Sequence, residues 1–262
     1  MATDKLIKTE TQHWVPKFLL KHFRSDNGRI YRYNISDGII TKPSPAMAAS
    51  SPNFNELLVN GEPQLFEKAF EDIETAAAPP IKRIVATLSL SEIDGRYRRK
   101  VAKFVVAQSF RTEAYRIGLT KSGQRLGSGE VLRALLDDIE ALTDLVHNRH
   151  WALLVTNEEN CFYIGDNPVV LQSTEHPEKA GELGLDIDGV EVFLPLSPNC
   201  ALYMPSLSIG NEIVSGVWDA LVLVVSSISG KMDLSDREYI VARKALRSGM
   251  PMYRAFLYGE PL

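Results

Sequence analysis

Glu67 and Glu74 stand seven residues apart in one stretch of helical periodicity, and Gln108 and Arg111 stand three apart in another. Side chains at those spacings project from one face of a helix. The two glutamates lie two turns apart, about 10 Å along the axis, too far to chelate one ion by themselves. His13 and Asp166 supply the residue types still missing from a hydrolytic site. Convergent carboxylates with a histidine suit Mg²⁺ or Mn²⁺, hard ions that take oxygen ligands and keep waters for attack on a phosphodiester. Glu67, Glu74 and Asp166 would hold the metal or activate water, with His13 as general acid or base. Gln108 and Arg111 would orient the phosphate, the guanidinium bidentately. The expected partner is a phosphate-containing ligand or nucleic acid, and the reaction is metal-dependent phosphoester hydrolysis.

Each of these residues also has a plainer reading. Arg111 pairs with Glu67 or Glu74 to clamp two helices, since a buried guanidinium must be paired and hydrogen-bonded. His13 caps the helix that begins at Pro16 or bonds a backbone carbonyl. Asp166 makes the turn usual for Asp-Asn-Pro. On these terms the chain is a non-enzymatic small-ligand sensor or interaction module.

The elements that must position these residues are organised around Ser91–Gly118, whose apolar side chains cover most of a helical circumference. Ser91-Glu-Ile-Asp94 resembles a capping box that opens this central helix. Phe66, Phe70, Ile73 and Ala77, with Leu65 and Ala69, mark an amphipathic helix from Pro63 to Ala78, which Pro79-Pro80 is expected to stop. A short helix runs from Pro16 to Phe23, and another from Ile81 to Leu88. Arg29–Ile35 and Ile39–Lys42 read as a hairpin across Ser36-Asp37-Gly38. The proline-rich stretch 43–63 reads as a loop, and one long helix spans Gly129–His150.

From Trp151 the character changes to short strands: Trp151–Thr156 and Cys161–Ile164 as a hairpin, then Val190–Leu194, Ala201–Met204 and Leu221–Val225. Ser235-x-x-Glu238 caps a final helix through Arg247. Helices followed by strands predict a single α+β domain with a buried central helix and an antiparallel sheet.

The 262 residues are 45% hydrophobic and 24% charged, ordinary for a globular protein, with a net charge of −4 that gives no whole-chain attraction to nucleic acid or anionic membrane. Cys161 and Cys200 sit singly in apolar segments and read as buried thiols of a reducing compartment. The start MATDKLIKTETQ carries no apolar leader, and the longest apolar run falls short of a membrane span, so a cytoplasmic location is expected. Arg96, Arg98, Arg99, Lys100 and Lys103 form a basic cluster that could track a nucleic-acid backbone, or simply a solvated helix face. His147 and His150 lack an evident third metal ligand. Ser122–Gly129 is glycine-rich without the Gly-Lys-Ser/Thr of a phosphate loop.

Four pieces together resemble a bacterial domain-of-unknown-function family, number four-two-three-eight in that series. They are Gln12-His13-Trp14-Val15-Pro16, the pair Glu67 and Glu74, Gln108-x-x-Arg111-Thr112, and Asp166-Asn167-Pro168-Val169 followed by Pro195-Leu196-Ser197-Pro198. The likeness covers roughly residues 12–230 and implies no reaction. Where that family places Thr-Ser before Asp-Asn-Pro, Ile164-Gly165 stand here, which removes two hydroxyls from any role they would have had.

Overall fold

The computed structural model describes residues 11–35, 37–112, 115, 128–156, 161–173, 184–187, 189–206 and 241–242. The fold is α+β. Near the start, β1 (Thr11–His13) pairs antiparallel with β4 (Ser50–Pro52), His13 opposite Ser50. Between them come α1 (Lys17–Leu20), which continues as a 3₁₀ turn over Lys21–Phe23, and the hairpin β2 (Arg32–Asn34) and β3 (Ile39–Thr41). Pro16 stands one position outside the helix in an extended conformation, and its carbonyl accepts from the N–H groups of Leu19 and Leu20.

The stretch 43–63 is more regular than its prolines suggested. β5 (Glu56–Val59) and β6 (Glu62–Leu65) form a hairpin across Asn60-Gly61, both at positive φ (52° and 82°). Positive φ at both central residues is the requirement of a type I′ turn, and Asn-Gly is the pair that meets it most readily. Pro63 is tolerated because this ladder has only two strands, so each has an unpaired edge.

α2 (Glu67–Thr87) runs straight through Pro79 and Pro80, contrary to the expectation that they end it. Each proline removes one backbone hydrogen bond at a cost of about 3 kcal/mol or more in a helix interior. Burial outweighs that cost: Phe70, Ile73, Ala77, Pro80, Ile81 and Ile84 continue one buried stripe across the break. Leu65 and Ala69, assigned to that stripe, are exposed. α3 (Gly95–Phe110) is the central helix, shorter than expected at both ends. Its N-cap is Asp94, whose carboxylate accepts from the Tyr97 N–H at 2.8 Å, so Ser91 does not open it.

The single helix expected over 129–150 is two, α4 (Ser128–Asp137) and α5 (Ile139–His147), which meet at Asp138. Gly129 is required where α4 meets β5, since a Cβ there would lie 1.9 Å from the Leu58 carbonyl oxygen. Arg99 and Lys103 of α3 form ion pairs with Glu140, and Arg99 also pairs with Asp144 of α5. Arg98 binds the carbonyls of His147 and Arg149 and lies 4.6 Å over the Trp151 ring. Three cations of the predicted basic cluster are therefore spent on the α3–α5 seam, and the Lys100 ammonium lies over the Tyr97 ring.

β7 (Ala152–Val155), β9 (Val170–Ser173), β10 (Val190–Ser197) and β11 (Cys200–Met204) form an antiparallel sheet of order β7-β11-β10-β9. The expected hairpin of 151–156 with 161–164 is not formed: β7 pairs with β11, and β8 (Ile164–Gly165) makes only a two-residue parallel ladder with Val241–Ala242. β10 is buried along its whole length because both sheet faces are covered. Val192, Leu194, Leu196, Leu202 and Met204 join the core of α1, α2 and α3, while Phe193, Ala201 and Tyr203 face a second apolar cluster. The expected strand at Leu221–Val225 and most of the glycine-rich 122–129 lie outside the described residues; of the helix expected over 235–247 only Val241–Ala242 are described, and they are a strand held by the ladder with β8. Among the described residues no helix is long and apolar enough to cross a membrane.

Candidate functional site

Arg111 is the C-cap residue of α3. Its side chain is only 2% exposed, and α2 crosses beside it. The Nη1 atom donates to Glu74, Nη2 lies 3.8 Å from Glu67, and the guanidinium carbon sits 4.5 Å over the Phe70 ring. The spacing of Glu67, Phe70 and Glu74 on one helix face brings all three to the same guanidinium.

The N-terminal segment completes the network. Asn55, fully buried, donates its side-chain N–H to Glu67 and its backbone N–H to Gln12 Oε1 at 2.6 Å. Gln108 donates from Nε2 to the Trp14 carbonyl at 2.6 Å. His13 Nε2 lies 3.1 Å from the Ala46 carbonyl. Gln12, Asn55, Glu67, Arg111 and Glu74 thus form one continuous polar chain, joining β1, the β4–β5 turn, α2 and the end of α3. Asn55 and Phe70 were not among the expected site residues. Asn55 sits among turn residues with no periodicity to single it out, and Phe70 reads as plain core until Arg111 is placed over it.

Of the residues expected to act together, the fold brings Glu67, Glu74, Gln108 and Arg111 to one place, with His13 close enough for the Arg111 charge to disfavour its protonation. Asp166 lies half-buried in the bend after β8. Among the described residues no group of three His, Cys, Asp or Glu side chains is arranged to hold a metal ion. His147 and His150 gain no such partner either.

The electrostatics follow from burial. Desolvation holds the Glu74 carboxyl above its ordinary value of 4.5, and the contact with Arg111 only partly offsets it. Desolvation likewise lowers His13 below 6.5, assisted by Arg111, and lowers His22. Two opposing pH dependences are expected. Glu74 binds its proton more tightly folded than unfolded, so stability is withdrawn as pH rises from 4.5 through its raised folded value. His13 and His22 bind theirs more weakly folded, so stability is lost as pH falls below 6.5 through their lowered folded values. Urea unfolding from about pH 4 to about pH 8 should show both limbs. Glu74→Gln should flatten the first and His13→Gln should weaken the second. If neither variant changes the profile, these groups are not desolvated as described.

Beside the clamp, Phe70, Ile73 and Phe104 with Ala107, Glu74, Gln108 and Arg111 line a closed crevice that leaves no room for a water molecule. Two buried polar atoms of these residues, Gln108 Oε1 and Arg111 Nε, have no hydrogen-bond partner among the described residues.

No curated protein and no solved structure matches the chain. A family model described as "Protein of unknown function (DUF4238)" matches residues 11–132 and 128–215, a span that holds every residue of the network. The chain belongs to the DUF4238 family.

Proposed function

We propose that the chain is a small-ligand-binding module without hydrolytic activity, in which the Arg111 network clamps α2 to α3 and closes the crevice beside it. One observation carries this reading. The Arg111 guanidinium is 2% exposed and already engaged by two carboxylates, Glu67 and Glu74. A phosphate would have to displace Glu74 to reach it, and would meet an uncompensated negative charge on Glu67.

The competing reading, a Mg²⁺- or Mn²⁺-dependent phosphoester hydrolase, draws on a different observation. The Glu74 carboxyl is pushed up, toward neutral pH, and the His13 imidazole is pushed down, which keeps it unprotonated and able to accept a proton at neutral pH. On that reading Glu67, Glu74 and Asp166 serve the metal, His13 transfers the proton, and Gln108 and Arg111 orient the phosphate. Nucleic acid would be its substrate class, and the cytoplasm its compartment.

A thermal melt separates the two. A ligand at 100 times its dissociation constant adds about 2.7 kcal/mol, roughly 5–10 °C for a chain of this size. The module reading expects no rise with Mn²⁺ or with inorganic phosphate. A Mn²⁺-dependent rise that Glu74→Gln abolishes would overturn it in favour of the hydrolase.

A further inference from the structure

We infer that the outer face of α1 and its 3₁₀ extension, with the C-terminal half of α2, is a docking surface for the sugar-phosphate backbone of a nucleic-acid strand, held by Lys17, Lys21, Arg24 and Lys82. It goes beyond the Arg111 network and does not depend on it.

The chain carries a net charge of −4, yet the stretch from Lys17 to Ile35 holds five Lys or Arg and a single acid, Asp26. Its apolar residues are turned to the core: Leu19, Leu20 and Phe23 are at most 1% exposed. That leaves Lys17, Lys21 and Arg24, at i, i+4 and i+7, in solvent. Positions three and four apart share a helix face, so the three form a row with steps of about 5–6 Å at Cβ. α1 packs against α2, whose exposed Lys82 joins the same patch. Burial holds His22 below its ordinary value of 6.5, and the charges of Arg24 and Lys82 both reach the imidazole and add to that effect.

None of these four cations forms an ion pair among the described residues. Even Asp26, two residues after Arg24, stays beyond ion-pair distance of it. The cations that form a cluster in the sequence fare differently, since Arg98, Arg99 and Lys103 are engaged along the α3–α5 seam. Unpaired cations on a face anchored to the core keep their charge for an outside partner. A row of them fits a row of anions, and a nucleic-acid strand presents one phosphate per nucleotide. Lysine meets phosphate as a point charge, so the surface grips the backbone and reads no sequence.

An anionic membrane fits less well. Stable attachment to a bilayer takes a second, apolar signal besides a basic patch. No large apolar side chain of α1 or its extension is exposed to supply one.

The test is fluorescence anisotropy of a labelled single-stranded oligonucleotide of mixed sequence, titrated with the full chain between about 50 and 200 mM salt. Four phosphate contacts should give a saturable rise, with log affinity falling against log salt at a slope of about −3. Lys21→Glu and Arg24→Glu should each weaken binding about tenfold at the lower salt and reduce the slope by about 1. Lys68→Glu makes the same change of charge about 20 Å from Lys82 along α2 and should leave the affinity unchanged. All three side chains are exposed, so the variants should melt with the parent chain. Should a reversal shift the melt, Lys21→Gln and Arg24→Gln carry the same test with a smaller fall.

No saturable rise at about 50 mM salt overturns the assignment. Equal weakening by Lys68→Glu overturns it too, because the attraction would then be bulk charge. Binding to vesicles containing phosphatidylserine without binding to the oligonucleotide overturns it in favour of a lipid surface.

Discussion

Replacing Arg111 with methionine should cost about 3–5 kcal/mol of stability, the penalty for leaving a buried charge without its partner. The expectation rests on an asymmetry in the network. Intact, the Arg111–Glu74 contact is a modest stabiliser, because the Glu74 carboxyl is still held above its ordinary value by desolvation even with the guanidinium in place. Broken from one side, it leaves the Glu67 and Glu74 carboxylates on one face of α2 without the guanidinium between them, with Phe70 as their neighbour. The loss should therefore be smaller at acid pH, where Glu74 can take up a proton, and larger at neutral pH. The double variant Arg111→Met with Glu74→Leu should recover most of it, since a buried pair replaced by apolar groups of similar size is often neutral. Urea unfolding of the two single variants and the double variant at two pH values measures all three differences. A loss below about 1 kcal/mol for Arg111→Met would mean that the guanidinium is not buried in the charged network described.

Phe104→Ala should be comparably severe, about 3–5 kcal/mol, through a different cause. Phe104 is 1% exposed, its ring stands 5.3 Å from that of Phe18, and it forms part of the crevice wall. Truncation removes contacts on both sides and opens a hole between α1, α2 and α3, which packed neighbours can fill only in part. Phe104→Leu, which keeps most of the volume, should cost clearly less. The unfolding midpoints of the two variants give the comparison. Equal costs for alanine and leucine would show that ring shape, and not filled volume, is what the site needs.

The candidate site was legible in the sequence to an unusual depth, and for a local reason. Glu67 and Glu74 share a helix face, Gln108 and Arg111 share another, and a guanidinium inside an apolar helix demands a carboxylate; each step needs only helical geometry and the cost of a buried charge. Asn55 escaped because nothing local distinguishes it from the other turn residues around it. Its importance arises only when the turn after β4 is laid against both Gln12 and Glu67. Asp166 lies in the bend after β8, far in sequence from both glutamates, and no local pattern fixes what its carboxylate meets.

The misjudged elements have the same origin. Pro79-Pro80 is a stop signal by backbone chemistry, yet Pro80, Ile81 and Ile84 extend the buried stripe of α2, and tertiary burial exceeds the local penalty. Asn60-Gly61 was a hairpin signal of its own, hidden by the prolines on either side of it. Partner choice in the sheet was not local at all: β7 could have paired with its nearest successor, and instead lies beside β11, far along the chain.

By itself, then, the sequence determined the class of fold, the buried central helix and the demand that Arg111 meet carboxylates, because periodicity and desolvation act over a few residues. Which carboxylates answer, how Asn55 and Gln108 orient the pair, and that two polar atoms are left over beside a closed crevice were decided only by tertiary structure. Those outcomes depend on where distant segments press together, and the free energy of a buried polar atom is set by neighbours that no local pattern contains.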